Sequence, residues 1–97
     1  MTEAALTAKI VKALNAQPET FAFKTKGDPR QRRGLPDIIC CVSGLFVGLE
    51  VKLPGKERNV TQLQQQTLDD ITRAGGLGRV VTSVRQALDA IDALEGY

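Results

Sequence analysis

Residues 34–55 read GLPDIICCVSGLFVGLEVKLPG, two alternating apolar runs joined by Ser43-Gly44. Gly in a short link between such runs marks a tight β-hairpin. With a two-residue turn, cross-strand partners are residues whose numbers sum to 87, and Asp37 stands opposite Glu50. Side chains alternate along a strand, so one face of the ribbon carries Ile38, Cys40, Val42, Leu45, Val47, Leu49, Val51 and Leu53. That face is an unbroken apolar surface for packing against helices. The other holds Ile39, Cys41, Phe46 and Gly48 near the turn, with Asp37, Glu50 and Lys52 gathered beyond them.

Outside the hairpin, Thr2 is an N-cap for a helix to about Asn15, with Leu6, Ile10 and Leu14 four residues apart. QPET ends it. TFAFKTK (20–26) alternates as a half-exposed strand, and GDPRQRRG (27–34) is a loop by its Gly, Pro and charge content. PGKERN (54–59) is a second loop. Thr61 and Gln64 make a capping-box pattern for a helix to Ala74 that stops at Gly75-Gly76. GRVVT (78–82) reads as a short strand, and Ser83 opens a last helix carrying Val84, Leu88, Ile91 and Leu94. The predicted order is helix, three strands, helix, strand, helix, an α/β fold with a mixed central sheet flanked by helices.

Ninety-seven residues make a single domain over 1–97 with a modest core. A hydrophobic content of 42% with 25% charged residues is that of a soluble globular protein. No apolar run approaches the roughly 20 residues of a membrane span, and no signal-peptide pattern opens the chain, so the expectation is a cytoplasmic protein without a membrane partner. Cys40 and Cys41 are adjacent and point to opposite faces, so they cannot bridge each other; both read as small buried hydrophobes. Histidine is absent, which removes His-dependent triads and His-ligated zinc or nuclease centres. Carboxylates and lysine remain as the chemical resources.

Like charges directly opposed on a sheet repel, with Cβ atoms about 5 Å apart. Two carboxylates held that way suit a shared hard divalent cation, Mg²⁺ or Mn²⁺, which takes oxygen ligands and cancels the repulsion. Lys52 projects to the same face and is placed to orient or deprotonate a water. The plainer alternative is that Lys52 merely neutralises one of two surface acids on a solvated face. Glu3 points in helical projection between Ile10 and Leu14, so it aims inward toward this cluster, although an acid in a first turn is also favoured by the helix dipole. Gln64 falls on the arc of Leu63, Leu68 and Ile71 and alone among its glutamine neighbours faces the sheet, although capping explains it equally well. Lys24, Lys26, Arg30, Arg32 and Arg33 against Asp28 give net +4 just upstream, leaving −2 for the rest of a chain of net charge +2. Cations beside paired acids point to a polyanion such as nucleic acid.

Pro36-Asp37 in GLPDI and Glu50-x-Lys52 in LEVK, with an inward Glu3 and the helix VTQLQQQTLDDITRAGG, resemble the PD-(D/E)XK nucleases. Over nearly the whole chain the pattern is similar to the VRR-NUC branch, the virus-type replication-repair nucleases, in its stand-alone phage and bacterial form. The resemblance implies a restriction-endonuclease-like core in the order αβββαβα. It implies that Asp37 and Glu50 bind Mg²⁺ or Mn²⁺ with the backbone carbonyl of Val51, that Lys52 assists the water, and that Glu3 and Gln64 complete the site. It also implies a homodimer acting on branched DNA such as Holliday junctions, in a bacterial or phage-infected cell. Gln62 stands where many relatives have a helix-opening proline, a departure that Thr61 offsets by capping the helix itself.

The function expected is therefore metal-dependent phosphodiester hydrolysis, with the five cations gripping flanking phosphates and reading backbone shape over base order. Two rival classes stand beside it. One is a catalytically silent DNA-binding or assembly module of the same fold, and the other is a metal-dependent enzyme acting on small phosphorylated molecules.

Overall fold

In the computed structural model, which describes residues 1–28 and 30–94, Ser43 and Gly44 both take left-handed backbone, with φ of 49° and 86°. Two successive positive φ values are the mark of a type I′ turn, whose twist matches that of the strands it joins. Ser43 is held in this conformation by Glu19, whose carbonyl accepts its N–H at 2.9 Å and whose carboxylate accepts its hydroxyl at 3.0 Å. The turn sets the pairing of β2 (Ile38–Val42) with β3 (Leu45–Val51), from Val42 opposite Leu45 to Ile38 opposite Leu49. This is the register expected from the sequence.

β1 (Thr20–Lys24) adds antiparallel to β2, and β4 (Leu77–Val81) adds parallel to β3, giving a mixed four-stranded sheet in the order β1-β2-β3-β4. The helices are α1 (Glu3–Asn15), α2 (Gln62–Arg73) and α3 (Val84–Asp92), and a 3₁₀ turn, Glu57–Asn59, lies in the loop before α2. Each α-helix opens on a side-chain cap: Thr2 accepts from Ala5 N–H, Thr61 from Gln64 N–H, and Ser83 from Gln86 N–H. Asn15, at the end of α1, donates to the Ala22 carbonyl at 2.9 Å and accepts its N–H at 2.8 Å. That pair of bonds ties α1 to the edge strand and satisfies main-chain groups with no neighbouring strand.

One sheet face is the core. Leu6, Ile10 and Leu14 of α1 and Ala87 and Ile91 of α3 pack on Ala22, Ile38, Cys40, Val42, Val47, Leu49, Val51 and Val81. Leu94 lies past the end of α3, where it is only partly buried; the helix seats itself through Ala87, Ala90 and Ile91 instead.

The opposite face is covered in part. α2 lies over β3 and β4, and glycines make the approach possible. A Cβ at Gly48 would stand 2.7 Å from Ile71 Cδ1 and 2.8 Å from Pro36 Cγ, and one at Gly78 would run into the main chain of Leu68. Helix α2 therefore sits low on β3 and β4 and leaves the β1–β2 side open. Cys41 belongs to that open part and is exposed, which corrects the expectation that both cysteines are buried; Cys40 is buried in the core. No helix among the described residues is long and apolar enough to cross a membrane.

Candidate active site

The hairpin ladder stops one place short of Asp37, and the reason lies in Pro36. The register pairs position 36 with Val51, as a hydrogen-bonded pair in the alternation that starts at Val42–Leu45. Proline has no N–H to give. Its carbonyl is already taken by the Thr25 hydroxyl at 2.8 Å. The Val51 N–H is taken by a side chain instead: Asp37 Oδ2 accepts it at 2.8 Å. Asp37 is held from its other side too, since its carbonyl accepts the Thr25 N–H at 2.9 Å.

Continuing the same alternation makes Asp37 and Glu50 a non-hydrogen-bonded pair, the kind in which opposed side chains come closest. Glu50 is 1% exposed, and its Oε2 has no hydrogen-bond partner. Burial, then the hydrogen bond to Asp37 and the negative charge of Asp37, push its carboxyl up to about 9, while Lys52 pulls the other way. Burial beside a second carboxylate therefore favours the protonated form of Glu50, because two carboxylates in contact cannot both ionise without a counter-charge. Lys52, half-buried just past the end of β3, is the nearby cation.

A cavity of about 360 Å³ opens beside Asp37, lined by Lys24, Lys26, Arg32 and Arg33 together with Thr25 and Gln31. Four of the five expected cations thus share one concavity with a site acid. Arg30 does not join them: its guanidinium pairs with Asp28 at 3.5 Å while the side chain stays 92% exposed. An exposed ion pair of this kind contributes little to stability.

Glu3 and Gln64 have surroundings of their own. Glu3 lies in the direction of the buried arc, yet it occupies the first turn of α1 ahead of Leu6, and it is exposed. Among the described residues no three His, Cys, Asp or Glu side chains form a metal-holding group. Gln64 is half-buried, and its Oε1 accepts the Thr61 N–H at 3.0 Å, which closes the capping box. Its carbonyl oxygen is therefore engaged in holding the helix start.

Thr25 and Gln31 escaped the sequence reading. Extending the β1–β2 register places Thr25 opposite Asp37, in one row with Glu50. No turn signal marks that register, because residues 25–37 connect the two strands as a long loop. No protein-family model, no curated protein and no solved structure matches this chain.

Proposed function

We propose that this chain is a divalent-metal-dependent nuclease with a PD-(D/E)XK core, of the VRR-NUC kind, hydrolysing phosphodiester bonds in DNA and preferring branched forms. The observation that carries the reading is the buried, unpartnered Oε2 of Glu50 beside Asp37. A buried polar atom without a partner costs free energy and calls for an explanation, and a cation is the partner this atom lacks. The donor chemistry fits, since the side chains supply oxygen alone, as Mg²⁺ and Mn²⁺ prefer.

Asp37 and Glu50 would hold the cation, joined by the main-chain carbonyl of Val51. A cation of this kind, when bound, stabilises charge developing on a phosphoryl oxygen and promotes ionisation of a water molecule. Lys52 then orients that water and offsets the negative charge of the transition state with its ammonium group. Lys24, Lys26, Arg32 and Arg33 take the flanking phosphates, while the Thr25 contacts keep Asp37 aimed at the reacting group. Cations that touch only phosphate position the backbone and carry no base code, which supports selection by DNA shape.

The test is a panel of labelled four-way, flap and linear DNA incubated with Mg²⁺ or Mn²⁺, using wild type and Asp37→Ala. The expected result is cutting by wild type and retained binding without cutting by the variant. Binding without any cutting by wild type would make the chain a silent module. No DNA affinity at low salt would point to small phosphorylated substrates.

A further inference from the structure

All three phenylalanines of the chain lie on the sheet face opposite the core, and none of them is buried: Phe21 is 66% exposed, Phe23 46% and Phe46 50%. Aromatic rings dominate burial in most cores, so three left in water on one face call for a ligand. The strand registers order this face in rows. Thr25, Asp37 and Glu50 form the first, Phe23, Ile39 and Gly48 the next, and Phe21, Cys41 and Phe46 the third. Residues two apart along a strand are separated by about 6.5 Å, so Phe23 stands one row from the site acids and Phe21 two rows, about 13 Å. We propose that Phe21, Phe23 and Phe46 form a stacking platform for unpaired bases of a single DNA strand, whose phosphates run past Arg32 toward Asp37.

Three considerations select this occupant. The first is charge. Arg32 lines both the cavity beside Asp37 and a groove of about 310 Å³ alongside Phe46, so it joins the cationic concavity to the rings. The acids on these borders outside the site row are already paired, Asp28 with Arg30 at 3.5 Å and Asp70 with Arg73 at 3.0 Å. Cations concentrated along one border of an aromatic face favour a polyanion over an apolar protein surface, and rings beside a basic groove are the means by which single strands are held. The second is access. A duplex keeps its bases inside its own stack, so rings standing on a sheet reach only bases that are unpaired. The third is order. The Phe21 and Phe23 rings lean on each other with centroids 6.0 Å apart, a contact that limits their freedom before any base arrives and lowers the entropy lost on binding.

Binding on the platform needs no catalysis. That the platform feeds an unpaired strand to Asp37 and Glu50 does rest on the nuclease reading.

Fluorescence anisotropy on the full chain in EDTA, so that cutting does not intervene, tests the proposal. The probes are a labelled thymidine strand of about 12 nucleotides, the same backbone without bases, and a duplex of equal length. Wild type should bind the thymidine strand about tenfold more tightly than the base-free backbone, and more tightly than the duplex. Phe21→Ala and Phe23→Ala should each weaken binding of the thymidine strand about tenfold, with the wild-type circular dichroism and an unchanged slope against salt, while Phe21→Tyr binds as wild type does. Arg32→Gln should lower that slope by about 0.7, the share of one phosphate contact on a single strand. A base-free backbone held as tightly as the thymidine strand would overturn the proposal with wild type alone, whatever the variants do. Folded alanine variants that bind as wild type does would overturn it too, and if they changed only the sedimentation of the protein, the face would be a protein contact. With Mn²⁺ added, a wild type that binds through its rings and never cuts removes the nuclease reading and leaves the platform. One that cuts while ignoring the bases does the reverse.

Discussion

Glu50→Gln should make the metal-free protein more stable, although it removes a residue of the proposed site. In the folded chain the Glu50 carboxyl is pushed up to about 9, first by burial and then by Asp37. In the unfolded chain it returns to about 4.3. Between these values the unfolded chain has released a proton that the folded chain still holds, so stability falls as pH rises. Below about pH 4 the cost is absent, and above about pH 9 it is complete. At about 1.4 kcal/mol per pH unit, holding that proton at pH 7 to 8 costs on the order of 4 kcal/mol. Burying the glutamine amide offsets part of this, so a gain of about 2 kcal/mol at pH 8 is expected. For a domain of this size that raises Tm by about 10 °C. A glutamine amide can also donate to Asp37 with no proton to lose. Thermal melts of both proteins in EDTA from pH 4 to pH 9 read the effect: the curves should coincide near pH 4 and separate steadily above it. Added Mn²⁺ should then raise the wild-type Tm and leave the variant unmoved. A variant equal to or weaker than wild type at pH 8, or a gap that does not change with pH, would refute the account of Glu50 as a strained, protonated acid.

Three further outcomes follow from the same geometry. Metal uptake should release close to one proton per site, with affinity rising about tenfold per pH unit between pH 5 and pH 9, as read by calorimetry in buffers of different ionisation enthalpy. Thr25→Val keeps the shape but loses the hydroxyl bond to the Pro36 carbonyl; it should cost about 1 kcal/mol in urea unfolding and raise the Mn²⁺ concentration needed for half-maximal cutting. Gly78→Ala should destabilise by about 2 kcal/mol because its methyl meets the main chain of Leu68, whereas Gly27→Ala, with open space around it, should change stability by less than about 0.5 kcal/mol.

What the sequence disclosed depended on how local the constraint was. The Asp37–Glu50 register was legible because a two-residue turn propagates its pairing without ambiguity, and the caps at Thr2, Thr61 and Ser83 were legible because each acts within three residues. The partnership of Thr25 with Asp37 was not, since it spans the long 25–37 connection. Direction without depth misplaced Glu3: its helical angle is that of the buried arc, but angle says nothing of whether a core extends as far as the first turn. The exposure of Cys41 depended on how far α2 reaches across the sheet, which Gly48 and Gly78 decide by letting the helix settle over β3 and β4. Arg30 followed its local acid, Asp28, in preference to the cavity.

The strand break at Pro36 and the side-chain anchor of Asp37 on Val51 stand side by side. With the Pro36 carbonyl accepting from Thr25, one Asp37 oxygen is fixed on the Val51 N–H, while Glu50 Oε2 in the neighbouring position of β3 has no hydrogen-bond partner. Burial in the sheet, with Asp37 alongside, creates the unmet electrostatic demand at Glu50. Proline and aspartate in succession therefore act as one device, in which the first residue ends the ladder and the second holds the end of β3 by its side chain.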